Sequence, residues 1–348
     1  MDSLRIAVLF YEERTGPAPA RDEVVDQVYA ALTALGHQPV LLGTNNDVAE
    51  LVTRLGEIKP DLVFNLCESF GGLDSNEGNI TALLALLGIP FTGTGPVGMA
   101  LRQDKALTKK VLQFHGVNCP GFAIFDIGNL EFSGRMHFPL IVKPMRGDAS
   151  LGISDASLVR DYAGLIRQIT IMHNEHFDAA LVEEYIEGRE FYVGVLGNES
   201  PEALPLVEMD FSRLPPDAPR IYGRAAKFDA TSAQYQALNA IIATDLSSEL
   251  RHSLANAALE AVYALQVRDY ARVDIRLSRE GKPYVIEVNA NPYLEQTSAF
   301  AFSALQAGMG YNTLIGRLVE IAWTCARDRA WDKGMACPVK RPPPEKPL

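Results

Sequence analysis

Cysteine is scarce in this 348-residue chain: four residues, at positions 67, 119, 325 and 337, with no CxxC pair among them. Six scattered histidines add no zinc-binding spacing. The four thiols read as reduced, the state expected in the cytoplasm. No apolar run approaches the roughly 18 residues of a membrane span. The opening "MDSLRIAVLFYEERTG" carries an acid at once, and its apolar run of about six residues is too short for a secretory signal. Positive charge is also short, 32 Lys and Arg against 43 Asp and Glu, a formal net charge of −11. That disfavours an electrostatic nucleic-acid surface. The expectation is a cytoplasmic protein that handles small molecules, with no nucleic-acid or membrane partner. No internal repeat is visible.

What is present is alternation. "RIAVLFY", "QPVLLG" and "DLVFNL" read as buried strands, and helical patterns follow each of them within the first hundred residues. Strands alternating with helices indicate a parallel α/β sheet. Residues 96–116 read as one helix with Gly116 past its end. "FPLIVKPM" is a strand, "RGDASLGIS" a small-residue loop, and residues 179–197 a strand, a short bend and a strand. Residues 270–289 read as a hairpin turning at "SREGK". The fold class is α/β, with an α+β C-terminal part. The Pro-rich end, 329–348, reads as a disordered tail.

The chemistry concentrates in that hairpin. "YVIEVNANP" places Val285, Glu287, Asn289 and Asn291 on one face by simple alternation, with Ile286 and Val288 on the other. "ARVDIRL" aligns Arg272, Asp274 and Arg276. Pairing brings Asp274 beside Glu287 and Asn289, a hard-oxygen set suited to Mg²⁺. A surface hairpin with solvated charges is the competing reading. Lys143 ends an apolar strand, and Lys105 lies in "LRQDKALTKK". Two lysines and a metal would neutralise a triphosphate. The small residues of 146–154 let backbone N–H groups approach phosphate. Neither GxxxxGK[ST] nor a GxGxxG after the first strand is present. No Ser/His or Cys/His arrangement suggests a covalent intermediate.

In order, these pieces resemble the ATP-grasp superfamily: Lys105, "IVKP", the Gly/Ser loop, "VEEYIEGREF", "RVDI" and "EVNANP". "GIPFTGTGPVGMALRQDKALTKKVL" and "EGREFYVGVLG" are similar to segments of the D-alanine–D-alanine ligase group. The resemblance runs over roughly residues 5 to 325. It implies three domains, 1–98, 99–186 and 187–328, with ATP held between two sheets. It implies phosphate contacts from Lys105 and Lys143, and Ser150 in a covering loop. Glu183 would meet the base amino group, Glu184 and Ile186 the base through the main chain, and Tyr185 its edge. Glu190 would bond the ribose. Asp274, Glu287 and Asn289 would hold Mg²⁺, two ions in the family pattern, with Mn²⁺ a substitute. Arg272 would stabilise an oxyanion, and Lys227 of "GRAAKF" would close over the γ-phosphate. The implied reaction joins the carboxylate of one amino acid to the amine of another through an acylphosphate. Homodimers formed through the N-terminal region are frequent in this family.

The substrate half departs from the family pattern. Of the Glu, Ser and Tyr that order the first substrate, Glu23 of "RDEVV" is the candidate for the first. Ala149 and Phe228 replace the two hydroxyls. Cys67 stands where the family has a His, and Tyr293 of "NPYLE" where it has a Gly. Ser298 keeps a hydroxyl where the family binds the second substrate's carboxylate. Each hydrogen bond to a charged group contributes roughly 1.5–3 kcal/mol. The pattern therefore implies a kept ATP site and an altered amino-acid pocket. A true cell-wall D-alanine–D-alanine ligase and a non-catalytic ATP-binding module are the alternatives.

Overall fold

A computed structural model of the chain describes residues 2–12, 21–131, 136–147, 152–215, 218–223, 231–327 and 339–341. The N-terminal part contains β1 (Arg5–Tyr11), α1 (Glu23–Ala34), β2 (Gln38–Thr44), α2 (Val48–Ile58), β3 (Leu62–Leu66) and α3 (Glu77–Leu86). Its three strands are parallel in the order β2-β1-β3. β1 is apolar from Ile6 to Phe10 because both its faces are covered there. Ile6, Val8 and Phe10 enter one core, and Ala7 and Leu9 another.

Next come α4 (Pro96–Gln103), α5 (Lys105–Phe114), β4 (Phe122–Phe125), β5 (Leu140–Pro144), β6 (Leu158–Val159), α6 (Tyr162–Glu175) and β7 (Ala180–Glu184). The single helix expected over 96–116 is two helices. Asp104 breaks it: its backbone is extended, and its carboxylate caps α5 by accepting from Leu107 N at 2.8 Å. The strands form an antiparallel sheet in the order β4-β7-β5-β6.

A short bend, 185–187, carries the chain from β7 into a different sheet. That sheet contains β8 (Gly188–Leu196), β9 (Glu202–Ala203), β10 (Val207–Asp210), β11 (Asn239–Ile242), β12 (Tyr270–Ser278) and β13 (Pro283–Ala290). Its order is β11-β10-β8-β12-β13, with β9 pairing β8. α7 (Ala233–Ala237), α8 (Ser248–Ala264), α9 (Ala299–Gln306) and α10 (Tyr311–Arg327) complete the described helices. α8 packs beneath β8, β12 and β13. α10 returns to the N-terminal part, where Leu314, Leu318 and Val319 share a core with Val24, Val28 and Leu32 of α1.

The β12–β13 hairpin turns where expected, with Ser278 N donating to Lys282 O at 2.9 Å. Its register contains a feature that alternation does not show. Asp274 pairs with Glu287, but Ile275 pairs with Val285, so Ile286 is an extra residue in β13. This bulge switches faces. Val285 is therefore buried with Val288 and Ala290, not on the face of Glu287, and Ile286 joins Glu287 instead.

The expectation of four reduced thiols is corrected at one position. Cys67 and Cys119 are free, whereas Cys325 is disulfide-bonded. Of the Pro-rich end, the three described residues are docked: Lys340 N donates to Asn198 O at 3.1 Å. Among the described residues no helix is long and apolar enough to cross a membrane.

Candidate active site

The two antiparallel sheets face each other across a cleft. Its wall on one sheet includes Ile141 and Lys143 of β5, then Glu183, Glu184, Tyr185 and Ile186 at the β7 exit. Its floor on the other includes Glu190, Tyr192, Asp274, Arg276, Ile286 and Glu287. Eight of the residues singled out from sequence thus share one cleft.

Strand register builds the floor. Glu190 lies opposite Arg276, and Tyr192 opposite Asp274, which in turn lies opposite Glu287. Arg272 lies opposite Asn289. Like charges placed directly opposite repel. Asp274 and Glu287 are held in that arrangement with cations beside them. Arg272 grips Asp274 through Nε at 2.7 Å and Nη2 at 3.0 Å. Lys105 Nζ reaches Glu287 at 3.7 Å and also contacts Gly147 O. Asn289 Nδ2 donates to Arg272 O at 3.4 Å, which leaves its carbonyl oxygen as an acceptor. Two carboxylates, an amide oxygen and adjacent cleft space fit an Mg²⁺ site of hard oxygen donors. Among the described residues no cluster of three or more His, Cys, Asp and Glu forms a metal cage.

The wall holds a buried ion triad. Glu183 Oε1 receives Lys143 Nζ at 2.8 Å and Lys109 Nζ at 3.1 Å. All three side chains are under 10% exposed. Burial alone would raise the Glu183 carboxyl, but Lys109 and Lys143 outweigh it and hold it below its ordinary range. Burial lowers Lys109 against that pull. Lys109 was not singled out from sequence; it sits one turn after Lys105 on α5, and only its distant partner reveals it.

Arg276 is the second residue that sequence reasoning missed. Its Nε pairs with Glu190 Oε2 at 3.1 Å, and its guanidinium lies 5.0 Å from the Tyr185 ring centroid. Tyr192 Oη donates to Glu190 Oε1 at 3.1 Å. Glu190 is therefore held rigidly. In the bend, Glu184 N donates to Gly121 O and Tyr185 N to Pro139 O. The side chain of Glu184 turns to His137, with Oε1 3.2 Å from Nδ1. Among the described residues none bonds to the main chain of Ile186, which lines the cleft. Its N–H and C=O are free for a ligand.

A second, smaller cavity lies two residues beyond Asn289. Cys67, Tyr293, Asn291 and Val24 line it. Tyr293 Oη donates to Asp22 Oδ1 at 2.6 Å, which ties this loop to the start of α1. Glu23, the neighbouring residue, is exposed and does not line this cavity. Cys67 is buried, and its Sγ donates to Ser69 O at 3.1 Å. Desolvation pushes its thiol up to about 12, which removes it as a nucleophile at neutral pH. Ser298 caps α9, accepting from Ala301 N at 3.3 Å. Ala149, Ser150, Lys227 and Phe228 lie outside the described residues.

Comparison with known proteins matches this arrangement. The family model described as the D-ala D-ala ligase C-terminus covers residues 125–320. An uncharacterized protein of Sinorhizobium fredii is 34% identical over 319 residues, covering 90% of each chain. A D-alanine–D-alanine ligase of Pelotomaculum thermopropionicum is 31% identical over 307 residues, covering 85% of this chain and 90% of its own. The crystal structure of the Bacillus anthracis D-alanine–D-alanine ligase complexed with ATP superposes with a TM-score of 0.74 at 23% identity. It covers 94% of this chain and 100% of that one, and the shared fold is the ATP-grasp fold. The chain belongs to the D-alanine–D-alanine ligase family.

Proposed function

We propose that this ATP-dependent carboxylate–amine ligase acts on an amino-acid pair other than two D-alanines. The observation that carries the ligase chemistry is the cross-strand row of Arg272, Asp274, Glu287 and Asn289, with Lys143 lining the same cleft as Asp274 and Glu287 and Lys105 3.7 Å from Glu287. ATP lies between the two sheets. Ile186 takes the base edge through its main chain, Glu183 the base amino group through its second oxygen, and Glu190 the ribose. Glu184 and Tyr185 shape the base slot. Lys105 and Lys143 bind the phosphates, joined by Ser150 and Lys227 from segments outside the described residues.

The first step moves the γ-phosphoryl group to a substrate carboxylate oxygen, and ADP leaves. In the second step an amine attacks that acyl carbon and phosphate leaves. Asp274, Glu287 and Asn289 would hold Mg²⁺, two ions with Mn²⁺ a substitute, which would supply charge neutralisation at the phosphates. Arg272 lies beside these ligands and stabilises the oxyanion formed during amine attack. Closure of the Lys227 segment excludes water that would hydrolyse the acylphosphate.

The altered pocket is drawn from Cys67 and Tyr293 in the second cavity, and from Ala149, Phe228, Glu23 and Ser298 by the sequence resemblance. Specialised dipeptides or amino-acid conjugates are its products. The division into 1–98, 99–186 and 187–328, the cytoplasmic location and a homodimer belong to the same reading. ADP release with Mg–ATP and amino-acid pairs, with product masses, tests it. D-alanyl-D-alanine as the one efficient product would make the chain a cell-wall ligase instead.

A further inference from the structure

Behind the base slot, on the far side of Tyr185, lies a separate pocket of about 600 Å³. Arg160, Arg189, Arg220 and Arg279 line it, with Glu187 as its one acidic residue. Two of the four guanidinium groups are neutralised. Arg189 pairs with Glu208 at 2.5 Å and Asp245 at 2.7 Å, and Arg279 pairs with Glu187 at 2.9 Å. The side chains of Arg160 and Arg220 are exposed and have no carboxylate partner among the described residues. Among the described residues, Arg160 and Arg220 thus leave positive charge at one pocket of a chain whose net charge is −11. Like charges gathered on one concave wall raise the local potential and attract an anion. Guanidinium forks match phosphate oxygens in pairs.

The pocket is wired to the cleft. Tyr185 lines both. Its Oη donates to Arg220 O at 3.0 Å. Arg276 contacts the same carbonyl and also pairs with Glu190 at 3.1 Å. Fixing Arg220 therefore fixes the wall of the base slot.

We propose that this pocket binds a phosphate group, held by Arg160 and Arg220, and that its occupancy tightens nucleotide binding through Tyr185. The phosphate is either free or the monoester end of a small metabolite. The binding claim stands on the pocket alone; the coupling claim rests on the nucleotide reading of the cleft.

Calorimetric titration of the full chain at fixed ionic strength tests it, with inorganic phosphate in one arm and glycerol 3-phosphate in the other. Saturable binding is expected in at least one arm, and the tighter arm identifies the source. The R160A/R220A double variant should weaken it at least tenfold, with R160K/R220K between the two. Lys143→Ala, altered in the cleft, should keep it. Binding that survives in R160A/R220A, binding lost in Lys143→Ala, or no saturable heat in either arm would overturn the site. Coupling predicts that phosphate lowers the Kd for ATP in the wild type and not in R160A/R220A. An unchanged Kd alongside intact phosphate binding would overturn the coupling alone.

Discussion

Asp274 and Glu287 face each other directly across β12 and β13, two carboxylates in one cross-strand pair. Such a pair is stable only with positive charge over it. Glu287→Gln removes one charge without changing volume. Turnover should fall on the order of 10²–10³-fold, as for loss of a single transition-state charge contact, while circular dichroism and thermal unfolding stay near wild type. Titration of Mg²⁺ against rate checks the assignment. Unchanged turnover with unchanged Mg²⁺ dependence would contradict it.

Lys109 is a positioning residue. It shares Glu183 Oε1 with Lys143, so its removal leaves Lys143 as the sole counter-ion of a buried carboxylate. On the proposed nucleotide reading, Lys143 is then drawn away from the phosphates. Lys109→Met should raise the KM for ATP roughly tenfold, the scale of one charge-assisted hydrogen bond, with a much smaller change in kcat. Equal losses in both parameters would point to a general packing defect.

Cys67 gives a pH prediction with a definite sign. Burial raises its thiol from an ordinary value of 9.0 to about 12. The folded chain keeps this proton where the unfolded chain releases it. The thiol's contribution is fully present below pH 9 and is lost as pH rises toward 12. Denaturant titrations of wild type and Cys67→Ala should converge across that window. The thiol should also resist alkylation at pH 8 in the folded state. Rapid alkylation there would contradict its burial.

Gly93 and Asn291 lock the N-terminal part to the end of β13. Asn291 Oδ1 accepts from Thr94 N at 2.7 Å, and a Cβ on Gly93 would stand 2.2 Å from the same oxygen. Gly93 also has φ +91°, which costs a residue with a side chain of order 1–3 kcal/mol. Gly93→Ala should therefore lower the unfolding midpoint by several degrees in a thermal scan, and an unchanged midpoint would show that the contact yields freely.

In the proposed reading, Ala149 and Phe228 take the positions of two family hydroxyls. The A149S/F228Y double variant should raise kcat/KM for D-alanine by at least roughly tenfold, given two restored hydrogen bonds to charged groups. No gain would mean that these positions do not face the substrate.

The acid-bearing hairpin was legible because its polar residues recur at strand spacing beside an apolar run. The bulge at Ile286 was not, since an extra residue belongs to the pairing of two strands and leaves no local period. The break at Asp104 was hidden because α4 and α5 share one continuous helical pattern. Its sign was a lone Asp three residues before Leu107, the cap position of a new helix. Lys109 and Arg276 were missed for a common reason. Each is a cation in an ordinary-looking segment, and its carboxylate partner is more than 70 residues away in sequence. The face carrying Arg276 was legible, but Glu190 as its partner required the β8–β12 register.

The most direct measurement is ADP release from Mg–ATP across a panel of D- and L-amino acids, singly and in pairs, with mass analysis of the products. The account predicts ADP and an amide in equal amounts, with the highest kcat/KM for a pair other than two D-alanines. D-alanyl-D-alanine as the one efficient product would contradict the altered pocket, and ATP binding with no amide from any pair would contradict the ligase.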